Sequence, residues 1–107
     1  MKFISHYKEF GKDEHISILD NISHIPTKEK SKILEYLKHG EDAGVKCSSV
    51  FDFVQNELVP RTIHRYTDGE YIWDDREIYH FEKYNIPLDE DFIKKVLVSM
   101  ESEVQNG

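Results

Sequence analysis

The sequence predicts a small α+β domain in which helices pack on a short antiparallel sheet or hairpin at residues 62–74, with amphipathic helices at the C-terminal end. Three observations predict it. Residues 62–74 alternate side-chain character around Asp68-Gly69, a dipeptide favoured in tight hairpin turns because it tolerates positive φ. From Asp89 onward, Phe92, Ile93, Val96, Leu97 and Met100 recur at helical spacing with Lys94 and Lys95 opposite. The 107 residues contain no soft or low-complexity break, so one core and a single domain spanning 1–107 are expected.

Residues 1–27 carry the weakest pattern. Phe3, Tyr7 and Phe10, then Ile18, Leu19 and Ile22, follow helical spacing, which predicts two short helices. Thr27 after Pro26 reads as an N-cap, Glu29 suits a first turn, and Ile33, Leu34 and Leu37 form an apolar stripe before a stop at Gly40. Residues 40–61 support two alternatives: a buried strand at Val45–Val50 followed by a loop, or a short helix from Ser49.

With Asp68 and Gly69 as the two turn residues, Thr67 faces Glu70, Tyr66 faces Tyr71, Arg65 faces Ile72 and His64 faces Trp73. His64, Tyr66, Tyr71 and Trp73 then share one face, and Ile63, Arg65, Glu70 and Ile72 the other. The ring face is expected to pack beneath a helix as core; left exposed, it would anchor a partner. Asp74 or Asp75 caps a helix through Tyr84, Asn85 stops it ahead of Pro87, and Asp89 caps the last helix, whose residues 102–107 are expected to fray.

The chemistry-bearing residue types form no reactive pattern. His6, His15, His24, His39, His64 and His80 include no pair at i, i+4 and have a single cysteine for company, so no metal ligand set and no cofactor are expected. Cys47 reads as a small buried filler. The pairs Asp13-Glu14, Glu41-Asp42, Asp74-Asp75 and the run Asp89-Glu90-Asp91 are mostly placed at helix ends, where capping accounts for them. No Gly-rich phosphate loop or nucleophile elbow is present. No catalytic residue is predicted. An enzyme would have to use His64 or His80 with a nearby carboxylate, in a pocket and with a perturbed pKa.

Charge is unevenly distributed. Residues 1–67 hold ten acids and ten Lys or Arg, whereas residues 68–107 hold eleven acids and four bases, so the whole net charge of −7 lies in the last forty residues. Such a surface repels phosphate backbones and anionic lipid, which disfavours nucleic acid and membrane partners, and steers a basic protein toward it. Glu70, Asp74, Asp75 and Glu77 are the predicted partner-binding rim. Asp52, Asn56 and Glu57, in the 40–61 segment, are the alternative. One cysteine, no secretory leader and no apolar run of spanning length point to a cytoplasmic protein.

The stretch Tyr66-Thr67-Asp68-Gly69-Glu70-Tyr71-Ile72-Trp73, with Ile78-Tyr79, Glu82-Lys83-Tyr84, Leu88, Phe92-Ile93 and the earlier Ile33-Leu34-Glu35-Tyr36-Leu37, resembles small bacterial immunity proteins of polymorphic and contact-dependent growth-inhibition toxin systems. It covers residues 28–97 with a dissimilar middle. The Asp74-Asp75-Arg76-Glu77 run after Trp73 and His80 among the tyrosines depart from the family pattern. The resemblance implies a protein that binds a cognate toxin C-terminal domain, often a basic nuclease, and occludes its active site. It carries over no catalytic or binding residue. An adaptor or regulatory binding module is the alternative reading.

Overall fold

In the computed structural model the described residues are 1–106, with side chains described through Ser99, so the place of Met100 on the apolar face lies outside the described side chains; of the fraying expected at 102–107, residue 107 lies outside the described residues, and 102–106 continue the last helix instead. Four strands, β1 (Lys2–Phe3), β2 (Glu41–Asp52), β3 (Glu57–Thr67) and β4 (Tyr71–Asp74), form one sheet in the order β1-β4-β3-β2. β1 runs parallel to β4 and the other neighbours are antiparallel. Three helices, α1 (Lys30–Lys38), α2 (Asp75–Tyr84) and α3 (Glu90–Asn106), pack on this sheet, so the predicted α+β class holds.

The hairpin forms at the expected place with a different register. Thr67 faces Ile72, Tyr66 faces Trp73 and Arg65 faces Asp74. The turn is centred on Gly69 and Glu70: the Asp68 N–H donates to the Tyr71 carbonyl at 3.3 Å, and Gly69 has φ +96°. Asp68 moves out of the turn centre because its carboxylate accepts the Glu70 and Tyr71 N–H groups at 3.0 and 2.8 Å. Every partner lies two residues further along than expected, and side chains alternate with period two, so the faces keep their members.

Tyr71 and Trp73 are buried and make the ring face core. The Trp73 indole N–H donates to the Leu37 carbonyl at 3.0 Å, and its ring lies 5.6 Å from Phe92. Gly40 serves this packing: a Cβ there would sit 2.7 Å from the Trp73 ring and 2.9 Å from the Tyr66 Cβ. His64 departs from the ring cluster, with its side chain half exposed.

Three helix ends match the sequence reading. The Asp74 carboxylate accepts the Arg76 N–H at the start of α2, and Asn85 ends that helix in the left-handed region at φ 55°. Asp89 caps α3 by accepting the Phe92 N–H at 3.0 Å. α1 differs, because Glu29 at φ 64° is its N-cap position while Thr27 contributes only its carbonyl, to the Lys30 N–H at 3.0 Å.

The two other segments correct the expectations. Residues 41–52 are a strand, but one whose side chains are mostly exposed, with Val50 and Asp52 its buried members. Cys47 is likewise exposed rather than a core filler. Pairing with β3 is irregular between Lys46 and Val50, and Pro60 lies in the matching stretch of β3, where its missing N–H breaks no regular ladder. Neither predicted N-terminal helix forms. Lys8–Phe10 and Ile18–Asp20 are single 3-10 turns, and Phe3 and Leu19 are exposed while Ile4, Tyr7, Phe10 and Ile18 are buried. The segment is instead tied by β1, and by the Asp89 N–H donating to the Ile4 carbonyl at 2.7 Å, and in this extended form it buries Ile4, Tyr7, Phe10 and Ile18 against the body. Among the described residues no helix is long and apolar enough to cross a membrane.

Candidate functional site

The predicted acidic rim is not a surface. Asp74, Asp75 and Glu77 are 7%, 1% and 1% exposed. Asp74 caps α2 and is gripped by the Arg76 guanidinium, at 2.8 Å from Nη2 to Oδ2. Asp75 accepts the His64 backbone N–H at 2.8 Å, and it also meets the His64 ring, Arg61 and the Tyr66 hydroxyl. It thereby satisfies a β3 donor just past the Arg65–Asp74 pair, where the pairing with β4 ends. Glu77 accepts a hydrogen bond from the Ser5 hydroxyl. Burial pushes its carboxyl up to about 7, helped by the nearby Asp74 charge and opposed by Ser5, Lys12 and the Asp74 backbone N–H. Glu70 alone remains exposed, and it is paired with Lys2 at 2.9 Å and Lys95 at 3.0 Å. The helix start draws these acids inward, since each carboxylate answers a donor that folding would otherwise orphan.

The alternative set divides. Asn56, at φ 57°, and Glu57 are exposed at the turn joining β2 to β3. Asp52 is buried and accepts four donors: the Val54 and Gln55 N–H groups at 2.9 and 2.8 Å, the Tyr79 hydroxyl at 2.7 Å and the Tyr84 hydroxyl. Burial alone would raise its carboxyl, but the Gln55 N–H, the two tyrosines and the Val54 N–H together hold it well below the usual carboxylate range. Asp52 therefore ties the tip of the β2–β3 ribbon to α2. Beside it, His80 is fully buried, with Nδ1 on the Arg76 carbonyl at 2.8 Å and Nε2 accepting the Phe53 N–H at 3.2 Å. Burial lowers its pKa, so this neutral histidine is a fastener for the same tip.

What the structure exposes is the ribbon between its two anchorages. The base is fixed by Gly40 beneath Trp73 and by Glu41 facing Thr67, and the tip by Asp52 and His80. Between them Val45 is 56% exposed and Leu58 68%, with Glu41, Asp42, Lys46 and Glu57 in solvent. Glu41 and Asp42 were outside the predicted site residues, though they sit in the segment singled out as the competing recognition surface. The position of β2 at the edge of the sheet depends on strand order, which no local pattern reports. Around Asp75 the surface is basic, with Arg61 and His64 about half exposed over the buried carboxylate. The His64–Asp75 pair, 3.1 Å apart, orients an imidazole, but acid–base chemistry also needs a substrate cleft beside it. No group of three or more His, Cys, Asp or Glu among the described residues is arranged to hold a metal ion.

The chain matches no family model, no curated protein and no solved structure.

Proposed function

We propose that this chain is a cytoplasmic immunity protein that binds the C-terminal domain of a cognate toxin, a basic nuclease by class, and occludes its active site in a one-to-one complex. The observation that carries the reading is the β2–β3 ribbon. A two-stranded ribbon open to solvent on both faces is marginal by itself, and here separate buried contacts secure both of its ends. A recognition element held this way loses little conformational freedom when a partner docks. Val45 and Leu58 supply apolar anchors on it, while Glu41, Asp42 and Glu57 supply negative charge toward a basic cleft. The resemblance of residues 28–97 to immunity proteins supports the same reading, because the dissimilar middle is this ribbon.

The test is co-purification with the toxin domain encoded beside the gene, followed by protection of cells expressing that toxin. Absence of binding or of protection overturns the reading. The triple variant Glu41→Gln, Asp42→Asn, Glu57→Gln is expected to slow association by about tenfold at low salt and to flatten its salt dependence, with little effect on dissociation. If association is unchanged, the ribbon is not the interface.

A further inference from the structure

The sheet has a second face, turned away from Trp73, and it carries an uncommitted basic cleft. Phe3 and Ile72 are direct partners across the β1–β4 pair, and Arg65 faces Asp74 across β3–β4. These side chains share a face by the period-two rule. With Lys12, Trp73, Arg76 and Glu77 they line a cleft of about 260 Å³. Phe3 is 45% exposed and Ile72 half-buried, so the apolar wall is open to solvent.

The charges in the cleft do not cancel. Arg76 is consumed by Asp74 through two guanidinium nitrogens. The Lys12 ammonium lies over the Phe3 ring at 3.8 Å, and among the described residues Lys12 makes no ion pair and Arg65 makes neither an ion pair nor a side-chain hydrogen bond. Glu77, beneath them, is buried against Ser5 and held up to about 7 chiefly by burial, so it offsets only part of this positive charge near neutrality. Two free cations beside an exposed aromatic and an aliphatic wall, in a protein of net charge −7, form a local site of opposite sign to the molecule.

We propose that the Phe3–Lys12–Arg65–Ile72 cleft binds a small organic anion, with a carboxylate or phosphate-monoester head between Lys12 and Arg65 and a compact apolar body against Phe3 and Ile72. A cleft of about 260 Å³ has room for a ring together with its charged head, and pockets of this kind use a few polar groups to orient an otherwise apolar contact. None of the residues lining this cleft is among Glu41, Asp42, Val45, Glu57 and Leu58, on which the toxin-binding reading rests, so the two are tested separately.

Amide and side-chain NMR of the full chain, titrated with benzoate, phenyl phosphate, inorganic phosphate and cyclohexanol, tests it. Benzoate and phenyl phosphate are expected to shift Phe3, Lys12, Arg65 and Ile72 saturably, with Kd on the order of 1 mM, and both inorganic phosphate and cyclohexanol are expected to bind at least about tenfold more weakly. Arg65→Gln is expected to weaken benzoate by about tenfold, and Lys46→Gln, which changes an exposed cation outside the cleft, to leave it unchanged. Equal responses to inorganic phosphate and benzoate, shifts spread over all surface cations, or an Arg65→Gln protein that is folded and binds benzoate as before would each overturn the proposal.

Discussion

Glu77 stands three residues after the Asp74 cap, the position from which a glutamate side chain reaches back to the cap N–H. Here it does so out of water, against Ser5 of the N-terminal segment. Its folded-state pKa, near 7, lies above the ordinary 4.5. The folded protein therefore holds this proton more tightly than the unfolded chain, and the contribution to stability is full below pH 4.5 and lost as pH rises through 7. A raise of this size corresponds to on the order of 3 kcal/mol. Urea denaturation at intervals from pH 5 to pH 8 is expected to show stability falling across that window, and Glu77→Gln to flatten the fall; an unchanged slope in the variant would place the titrating group elsewhere. Gly40 is a second single-residue constraint, set by space, since a Cβ would press on the Trp73 ring and on the Tyr66 Cβ. Gly40→Ala is expected to cost about 1–3 kcal/mol in the same assay, and a loss below about 0.5 kcal/mol would mean that the sheet yields. At this scale, capping was legible in the sequence because Asp74, Asn85 and Asp89 act within three or four residues of themselves. The burial of Asp75 and Glu77 was not, because their partners His64, Arg61 and Ser5 are up to 72 residues away.

The β2–β3 ribbon is the element whose form depends most on contacts beyond itself. Its side chains alternate too weakly to fix one reading, so residues 40–61 supported either a buried strand at Val45–Val50 followed by a loop or a short helix from Ser49. What holds the strands is pairing with β3 and the Asp52 junction, and neither is a local property. Asp52→Ala would leave the Tyr79 and Tyr84 hydroxyls and the Val54 and Gln55 N–H groups without their acceptor. The expected cost is about 3 kcal/mol, as several buried donors are stranded at once. Hydrogen exchange is expected to localise the damage, with amides of Val50 to Val59 losing protection while those of Trp73 and Ile78 keep theirs. Uniform loss would show that the ribbon and the helical core open as one unit. The depressed pKa of Asp52 has the sign opposite to that of Glu77: its stabilisation is present above the ordinary 3.8 and is lost as pH falls through the lower folded-state value. The hairpin at 62–74 was legible as an element because Asp68-Gly69 announces a turn there, although the turn is centred one residue later, on Gly69 and Glu70. Its register was not, since Asp68 chose to bond the Glu70 and Tyr71 N–H groups from outside the turn centre.

Across the whole molecule, the division of charge along the chain and the division of charge on the surface are different maps. The acids that make residues 68–107 negative include Asp74, Asp75 and Glu77, which are buried, and the surface over them is basic through Arg61, His64, Arg65 and Lys12. The negative surface lies instead on the ribbon and along the helices, at Glu35, Glu41, Asp42, Glu57, Glu82 and Glu90. Sequence position predicts surface charge only for side chains that stay outside, and helix starts are where acids are most readily drawn in. The same long-range closure governs cooperativity. Ile4, Tyr7, Phe10 and Ile18 of the irregular N-terminal segment belong to one cluster with Ile33 and Leu37 of α1, Trp73 of β4, and Phe92 and Val96 of α3. The segment that local pattern reads worst is therefore a structural part of the core, and it should not melt separately. Ile4→Ala, which empties a fully buried position, is expected to cost about 2–4 kcal/mol. Trp73 fluorescence and far-UV circular dichroism should still report one shared, shifted denaturation midpoint. If fluorescence kept the original midpoint while the variant lost N-terminal protection, the first eighteen residues would be a detachable strap laid over an independently stable body.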